Sequence, residues 1–264
     1  MTIELAYQMS GAAARGVPVV LLHAFPLERS MWAPVSERLD AAGVATVRVD
    51  LPGAGASPLP DAGPPDLAAS ADGVVGVLDR LGAARAVVAG VSMGGYVALA
   101  LARRHPARLA GLALVDTRAG ADDDAARANR ARVADAVEGA VGTAALAPMI
   151  DGLLGATTRA ERPDVVRRVA EALRAARPEG VAWSQRAMAA RPDTTAELAA
   201  LAVPVAVVVG EEDVLATPAV ARRMAAALAD AVLTVVPRAG HLTPLEAPDA
   251  VAAALLALVV RTRA

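Results

Sequence analysis

A serine between two glycines is the feature of this sequence with the clearest potential for chemistry. Gly90-Val91-Ser92-Met93-Gly94 follows the apolar run 86–89 and precedes a helical pattern, which is the strand–turn–helix context of a nucleophile elbow. A sharp turn there would lift the Ser92 hydroxyl above the end of the strand, and the glycines would permit close backbone approach. We therefore interpret Ser92 as a candidate nucleophile rather than as a serine that only caps a helix.

A serine hydroxyl needs a base and an acid that orients the base, and candidates for both follow apolar runs. His241 comes shortly after the run 232–236, and Asp213 comes shortly after the run 205–209. The chain order Ser, Asp, His favours Asp213 as the partner of His241. Asp116, which follows the run 112–115, remains an alternative because a neighbouring strand could bring it to the same histidine.

Backbone N–H groups near Ser92 are expected to bind the anionic oxygen of a tetrahedral intermediate. The candidates are the N–H of Met93, at the start of the helix, and that of Phe25, in the turn after the run 17–22. His23 in the same turn is interpreted as a structural hydrogen-bonding residue, and His105 as a surface residue. Candidates for the substrate pocket are the large side chains of Trp32, Tyr96, Met149, Trp183 and Met188.

Alternating strand and helix patterns supply the elements that must position these residues. The β-branched runs are continuous, as expected for parallel strands buried on both faces of a sheet. The strand patterns are 17–22, 44–49, 86–89, 112–115, 205–209 and 232–236, and the helical patterns are 31–42, 66–82, 93–104, 217–229 and 247–260. Residues 3–9 form a candidate antiparallel edge strand. The sequence therefore predicts an α/β fold with three layers.

One stretch, from about residue 118 to residue 200, lacks a strand pattern. It opens with Asp122-Asp123-Asp124, which suit a helix N-terminus, and continues as alanine- and arginine-rich helices interrupted by prolines. We expect a helical cap over the carboxyl ends of the strands, where α/β sheets bind ligands. The predicted domains are a core of residues 1–117 and 201–264 and a cap of residues 118–200.

Three arginines in or beside the predicted cap could hold a substrate carboxylate, because the guanidinium group suits bidentate binding. They are Arg118, Arg186 and Arg191. Arginine side chains are mostly exposed in proteins, and the chain has 26 basic residues. We therefore expect each of the three to lie at the surface.

Composition excludes several classes of protein. The chain has 264 residues, of which 55% are hydrophobic, and a formal net charge of −2, so neither disorder nor a basic nucleic-acid surface is expected. It has no cysteine and three histidines, which argues against disulfides, thiolate nucleophiles and histidine-rich metal sites. The longest apolar run, 251–260, is too short for a membrane span, and the N-terminus lacks a signal-peptide pattern. We expect a cytoplasmic protein that acts on a small molecule and binds neither nucleic acid nor membrane; the sequence does not define its oligomeric state.

These motifs, in this order, resemble the α/β-hydrolase superfamily over nearly the whole chain. The matching pieces are His23-Ala24-Phe25-Pro26, Asp50-Leu51-Pro52-Gly53-Ala54-Gly55-Ala56-Ser57, Gly90-Val91-Ser92-Met93-Gly94-Gly95, Gly210-Glu211-Glu212-Asp213 and Ala239-Gly240-His241. Within the superfamily, the chain resembles the lid-bearing, cofactor-free esterases, enol-lactonases and C–C hydrolases. Ala24 stands where the superfamily more often has glycine, and Glu246 matches a structural position to which no catalytic role is assigned.

The resemblance implies the α/β-hydrolase fold, a mostly parallel, roughly eight-stranded twisted sheet with a helical cap inserted between strands. It implies Ser92 as nucleophile, His241 as base and then acid, Asp213 as its partner, and Phe25 and Met93 as the oxyanion hole. The expected function is hydrolysis of an ester, lactone or thioester of a small to medium, largely apolar substrate, without a metal or organic cofactor. C–C bond hydrolysis, cofactor-free perhydrolysis and a non-enzymatic ligand-sensing role on the same fold remain alternatives.

Overall fold

Seven strands form one sheet in the computed structural model, which describes residues 3–11 and 16–263. Their order across the sheet is β1-β3-β2-β4-β5-β6-β7, and only β1 runs antiparallel to its neighbour. The mostly parallel sheet predicted from the sequence is thus confirmed, and its antiparallel edge strand lies slightly later than 3–9. The strands are β1 (Tyr7–Ser10), β2 (Val19–Leu22), β3 (Thr46–Val49), β4 (Ala86–Val91), β5 (Leu109–Val115), β6 (Val205–Gly210) and β7 (Ala231–Val236).

Helices cover both faces of the sheet because its central strands have no polar face. Every residue of β2, β4, β5 and β6 is buried, and successive side chains of a strand point to opposite faces. Within residues 3–11 and 16–263, no helix has the length and apolarity needed to cross a bilayer. The helices are α1 (Ala33–Ala41), α2 (Leu67–Arg80), α3 (Met93–Arg104), α4 (Asp124–Glu138), α5 (Ile150–Leu153), α6 (Ala156–Glu161), α7 (Pro163–Ala175), α8 (Pro178–Ala190), α9 (Pro218–Ala226), α10 (Thr243–Glu246) and α11 (Pro248–Arg261), with short 3-10 helices at Arg29–Trp32, Pro106–Arg108, Gly142–Met149 and Thr195–Ala200.

The segment between β5 and β6 contains only helices, from α4 to α8 and the 3-10 helices beside them. Asp123 is the N-cap of α4, where its carboxylate accepts the N–H of Ala126 at 2.7 Å. Pro163 and Pro178 begin α7 and α8, at a helix position that needs no N–H donor. The predicted helical character of this insertion is confirmed, and its role as a cap stays a prediction.

Two glycine pairs bring the insertion against the rest of the chain. A Cβ on Gly155, between α5 and α6, would meet the backbone of Gly240 in the loop after β7. A Cβ on Gly180, in α8, would meet the backbone of Gly53 in the loop after β3. At these two points, the docking of the insertion depends on the absence of side chains.

Candidate active site

The turn after β4 holds Ser92 in an unusual backbone conformation. Its φ of 53° and ψ of −114° lie outside the regions that residues with a Cβ favour, because the chain reverses sharply from β4 into α3. A Cβ on Gly90 would clash with the backbone of Gly94, and one on Gly94 would clash with the carbonyl of Leu22. The N–H of Ser92 donates to the carbonyl of Val115 at 3.0 Å, which ties the turn to β5. Ser92 consequently stands at the carboxyl end of the parallel strands.

Side chains from three loops form a continuous hydrogen-bond chain at this edge of the sheet. His241 Nε2 lies 2.8 Å from Ser92 Oγ, and His241 Nδ1 lies 2.8 Å from Asp213 Oδ2. The other carboxylate oxygen of Asp213 accepts the N–H groups of Leu215 and Ala216, at 2.7 and 2.9 Å. A proton on Nδ1 therefore faces the carboxylate, and Nε2 is placed to accept the proton of the serine. The structure thus brings together the three residues proposed as nucleophile, base and acid.

Two buried backbone N–H groups near Ser92 have no hydrogen-bond partner in the described part of the chain. They belong to Phe25 and Met93, which are 5% and 3% exposed and line a common cavity. Buried N–H groups are almost always paired, and an unpaired one costs about 1–3 kcal/mol. Unpaired N–H donors beside a nucleophile are what an oxyanion hole requires, and that role for Phe25 and Met93 stays a prediction.

His23, which directly follows β2, is a neutral residue with a structural role. Its Nδ1 lies 2.9 Å from the carbonyl of Ala24, and its Nε2 accepts the N–H of Leu51 at 2.9 Å. Burial lowers the pKa of His23 below its usual value. The structural role predicted for His23 is therefore confirmed, while His105 lies 2.7 Å from Asp72 in a half-buried pair.

Asp116, the alternative partner for His241, is engaged elsewhere. Its Oδ1 accepts the N–H of Gly210 at 3.0 Å, and its Oδ2 accepts the N–H and the hydroxyl of Thr243 at 3.0 and 2.6 Å. Burial raises the pKa of the Asp116 carboxyl group, and the nearby charge of Asp213 raises it further. Asp116 does not contact the imidazole; it holds the loops that carry Asp213 and His241.

Glu246 anchors the His241 loop from the opposite side. Its carboxylate accepts the N–H groups of Gly240 and Leu242, the two neighbours of His241, each at 3.0 Å. It also accepts the N–H of Gly155, in the insertion, at 2.9 Å. Sequence reasoning found no role for Glu246 beyond a structural one, because nothing in the sequence shows which backbone groups a carboxylate will bind.

A cavity of about 510 Å³ lies above this hydrogen-bond chain, with Ser92 and His241 in its wall. The insertion supplies much of the wall, and the loop after β6 supplies Val214 and Leu215, which are 67% and 47% exposed. A second cavity, of about 350 Å³, shares Phe25 with the first. The serine is therefore accessible to a molecule of moderate size.

A sequence profile describing the alpha/beta hydrolase family matches residues 19–254. This segment contains all three members of the hydrogen-bond chain and the whole helical insertion. The chain belongs to the alpha/beta hydrolase family. The fold class predicted from the sequence is thereby confirmed, and the turn at Ser92 lies at the strand-to-helix position that a nucleophile elbow occupies in such hydrolases.

Known hydrolases are similar to this one over most of the chain. A thermophilic esterase from Thermogutta terrifontis, in a malate-bound structure, is 39% identical with a TM-score of 0.94, covering 99% of this chain and 95% of that one. The enol-lactonase from Burkholderia xenovorans LB400 is 30% identical with a TM-score of 0.87, covering 97% and 96%. The pimeloyl-[acyl-carrier protein] methyl ester esterase of Chromobacterium violaceum is 31% identical over 234 residues, 86% of this chain and 88% of that enzyme. Proteins with the same name from Neisseria meningitidis match over a shorter stretch of 108 residues. The matched segment of this chain covers 39% of their length.

The structure separates the five predicted pocket residues into two groups. Tyr96, Met149 and Met188 line the 510 Å³ cavity of the hydrolase. Trp32 and Trp183 line neither of the two cavities, which corrects the prediction for them. Trp32 is fully buried in the core, at the start of α1, where its size serves packing. Trp183 is buried in α8, and of the two only Met188 lines the cavity.

The predicted surface position is wrong for one of the three arginines, since Arg191 is 7% exposed. Arg118 is partly exposed, with 33% of its side chain accessible, and it lines the 510 Å³ cavity. Arg186 is an exposed residue, paired with Glu138 at 2.7 Å. Sequence reasoning missed Arg130, which also lines the cavity, because nothing sets it apart from the other arginines of α4.

Proposed function

We propose that this hydrolase cleaves a carboxylic ester, lactone or thioester with Ser92 as nucleophile, through an acyl-enzyme. The observation that carries the proposal is the unbroken hydrogen-bond chain from Asp213 through His241 to Ser92, with both links at 2.8 Å. A free serine hydroxyl is a poor nucleophile, so a base within hydrogen-bond reach is the feature that makes it reactive.

In the first half of the reaction, Ser92 Oγ attacks the substrate carbonyl carbon while His241 Nε2 takes the hydroxyl proton. The Asp213 carboxylate stabilises the imidazolium that results. The carbonyl oxygen becomes an oxyanion and accepts the N–H groups of Phe25 and Met93, each such donor contributing roughly 10²–10³ in rate. The C–O bond to the leaving group then breaks, and His241 returns its proton to the departing oxygen.

In the second half, water replaces the leaving group. His241 Nε2 takes a proton from the water as its oxygen attacks the acyl carbon. The bond from that carbon to Ser92 Oγ then breaks, the serine recovers its proton, and a carboxylic acid is released. The chain's own side chains and N–H groups supply every group used, so the proposed reaction employs no metal or organic cofactor.

The choice of an ester or lactone is supported by relatives named as an esterase, an enol-lactonase and a methyl ester esterase. A cavity of about 510 Å³ lined by Met149 and Met188 suits a small to medium substrate with an apolar portion. We infer that residues 118–200 act as the cap that closes this cavity, and we propose that the enzyme works in the cytoplasm.

The test combines turnover of p-nitrophenyl butyrate with labelling by a fluorophosphonate, which reacts with activated serines. Ser92→Ala should lose labelling and at least about 10⁴ in kcat while its thermal unfolding temperature stays within a few degrees. Ser70→Ala, at a buried serine of α2 distant in sequence from the elbow, is the matched control and should label normally. Turnover and labelling of Ser92→Ala at the wild-type level would sink the proposal.

A further inference from the structure

Three arginines surround one buried carboxylate beside the candidate active site. Arg118 Nη2 lies 2.6 Å from Asp122 Oδ1. Arg191 Nη2 donates to Asp122 Oδ1 at 2.8 Å and its Nη1 lies 2.8 Å from Oδ2, while Arg130 Nε also contacts Asp122. Burial alone would raise the pKa of Asp122, but the hydrogen bonds of Arg191 and Arg130 outweigh it and hold that pKa far below its usual range. The carboxylate is therefore charged, and three guanidinium groups share a single negative charge.

The three arginines differ in what else they can reach. The guanidinium group of Arg191 is engaged within the protein. It donates to the carbonyls of Met188 and Gly120, and it lies 4.1 Å from the centre of the Tyr96 ring. The Arg191 side chain is 5% exposed, whereas those of Arg130 and Arg118 are 17% and 33% exposed. Arg130 also donates from Nη1 to Gln185 Oε1 at 3.0 Å, so Arg118 keeps the larger surface that a ligand can contact and Arg130 the smaller.

That surface faces the cavity that contains the nucleophile. Arg118, Arg130 and Arg132 line the 510 Å³ cavity together with Ser92 and His241, and none of its described lining residues is acidic. The chain as a whole carries a formal net charge of −2, so this basic wall is not a property of the overall composition. A cavity wall with arginines and no carboxylate attracts an anion.

A hydrogen bond of the preceding residue also ties the backbone at Arg118 to the nucleophile turn. Arg118 follows Thr117, whose hydroxyl donates to the carbonyl of Ser92 at 2.8 Å. Tyr96, which packs against Arg191, lies in the first turn of α3, about 6 Å along the helix from its N-cap Ser92. Ser92, Arg118 and Arg130 line one cavity of about 510 Å³, whose size favours a short chain between the reacting carbonyl and an anionic group.

We propose that Arg118 and Arg130 bind a carboxylate of the substrate, so that the enzyme prefers the half-esters or lactones of short dicarboxylic acids. This substrate class rests on the proposed function of Ser92. Asp122 orients the two guanidinium groups from behind, and Arg191 fixes Asp122 against Tyr96.

The main test compares two substrates that differ only in charge. Monomethyl glutarate carries a free carboxylate, and methyl 4-carbamoylbutanoate replaces it with a neutral amide of the same shape. We expect wild-type kcat/KM to favour the anionic ester by at least about tenfold, as hydrogen bonds to charged groups imply. Arg118→Gln and Arg130→Gln should each remove most of this preference, lowering it by about tenfold.

Arg186→Gln is the matched control, because Arg186 lies in the same insertion, is ion-paired with Glu138 and does not line the cavity. It should leave the preference for the anionic ester unchanged. Equal rates with both esters in the wild type, or a loss in Arg118→Gln that is the same for both, would overturn the proposal.

A binding measurement separates this proposal from the proposed function. Glutarate binding to Ser92→Ala, measured by calorimetry, needs no turnover, and its Kd should rise at least about tenfold when Arg118→Gln is added. Arginine-dependent binding without cleavage of any ester supports the anion site and removes the hydrolase mechanism. Cleavage of the neutral ester without measurable binding of glutarate leaves the mechanism in place and removes the anion site.

Discussion

Exchanging Asp213 for asparagine would reverse one hydrogen bond while leaving the shape of the side chain almost unchanged. Oδ1 of Asp213 accepts the N–H groups of Leu215 and Ala216, so only the carbonyl oxygen of an asparagine can occupy that position. The NH₂ group would then face His241 Nδ1, where the carboxylate now lies at 2.8 Å. Nδ1 would have to become an acceptor, and the imidazole proton would move to Nε2 and point at Ser92.

An imidazole that carries its proton on Nε2 cannot take the proton of Ser92, so the loss falls on kcat. An exchange of this kind in a Ser-His-Asp protease lowers kcat about 10⁴-fold. We expect a fall of about 10³- to 10⁴-fold in Asp213→Asn, which corresponds to roughly 4–5 kcal/mol of activation free energy.

The assay is hydrolysis of p-nitrophenyl butyrate, with the concentration of folded enzyme fixed by circular dichroism. Asp116→Asn is the matched control, since this carboxyl group is also buried at the end of a strand but makes no contact with His241. Its kcat should fall by less than about tenfold. A loss below about tenfold in Asp213→Asn, or an equal loss in both variants, refutes the reasoning.

Two further predictions concern the loops around the candidate site. Glu246→Ala leaves three buried N–H groups without an acceptor, so the free energy of unfolding should fall by roughly 3 kcal/mol or more in denaturant titrations. In the control Glu37→Ala, at an exposed residue, the free energy of unfolding should fall by less than about 0.5 kcal/mol. Equal unfolding midpoints for the two variants would contradict the anchoring role. The folded state binds the Asp116 proton more tightly than the unfolded chain does, because its pKa is raised. The wild type should therefore gain stability relative to Asp116→Asn as the pH falls toward about 4, the usual pKa of an aspartate, and lose it as the pH rises. A difference that does not change with pH would count against the raised pKa.

The strands, and the reactive residues that follow them, can be predicted from the sequence because both depend on local patterns. Continuous apolar runs mark buried parallel strands, and the polar residues that follow such runs collect at one edge of the sheet. The start of β5 was predicted three residues late, since Leu109-Ala110-Gly111 contains no β-branched residue. Ser92, Asp213 and His241 could therefore be chosen before any coordinates were known.

The walls of the cavity could not be predicted in the same way, because they depend on pairing across the fold. Trp32 was selected for its size, and size fits the core as well as it fits a pocket. Arg191 was expected at the surface because most arginines lie there. Its burial requires the carboxylate of Asp122, 69 positions away in the sequence, which was interpreted only as part of a helix start.

The docking of the helical insertion by two glycine pairs has a consequence for substrate entry and product release. Gly155 meets Gly240 on one flank and Gly180 meets Gly53 on the other, and the first contact also touches the loop of His241. A rotation of the insertion away from the sheet would break the contact with Gly240 and so move the loop that carries His241. If the insertion is the proposed cap, we therefore expect a substrate to enter past the exposed side chains of Val214 and Leu215 rather than by such a rotation.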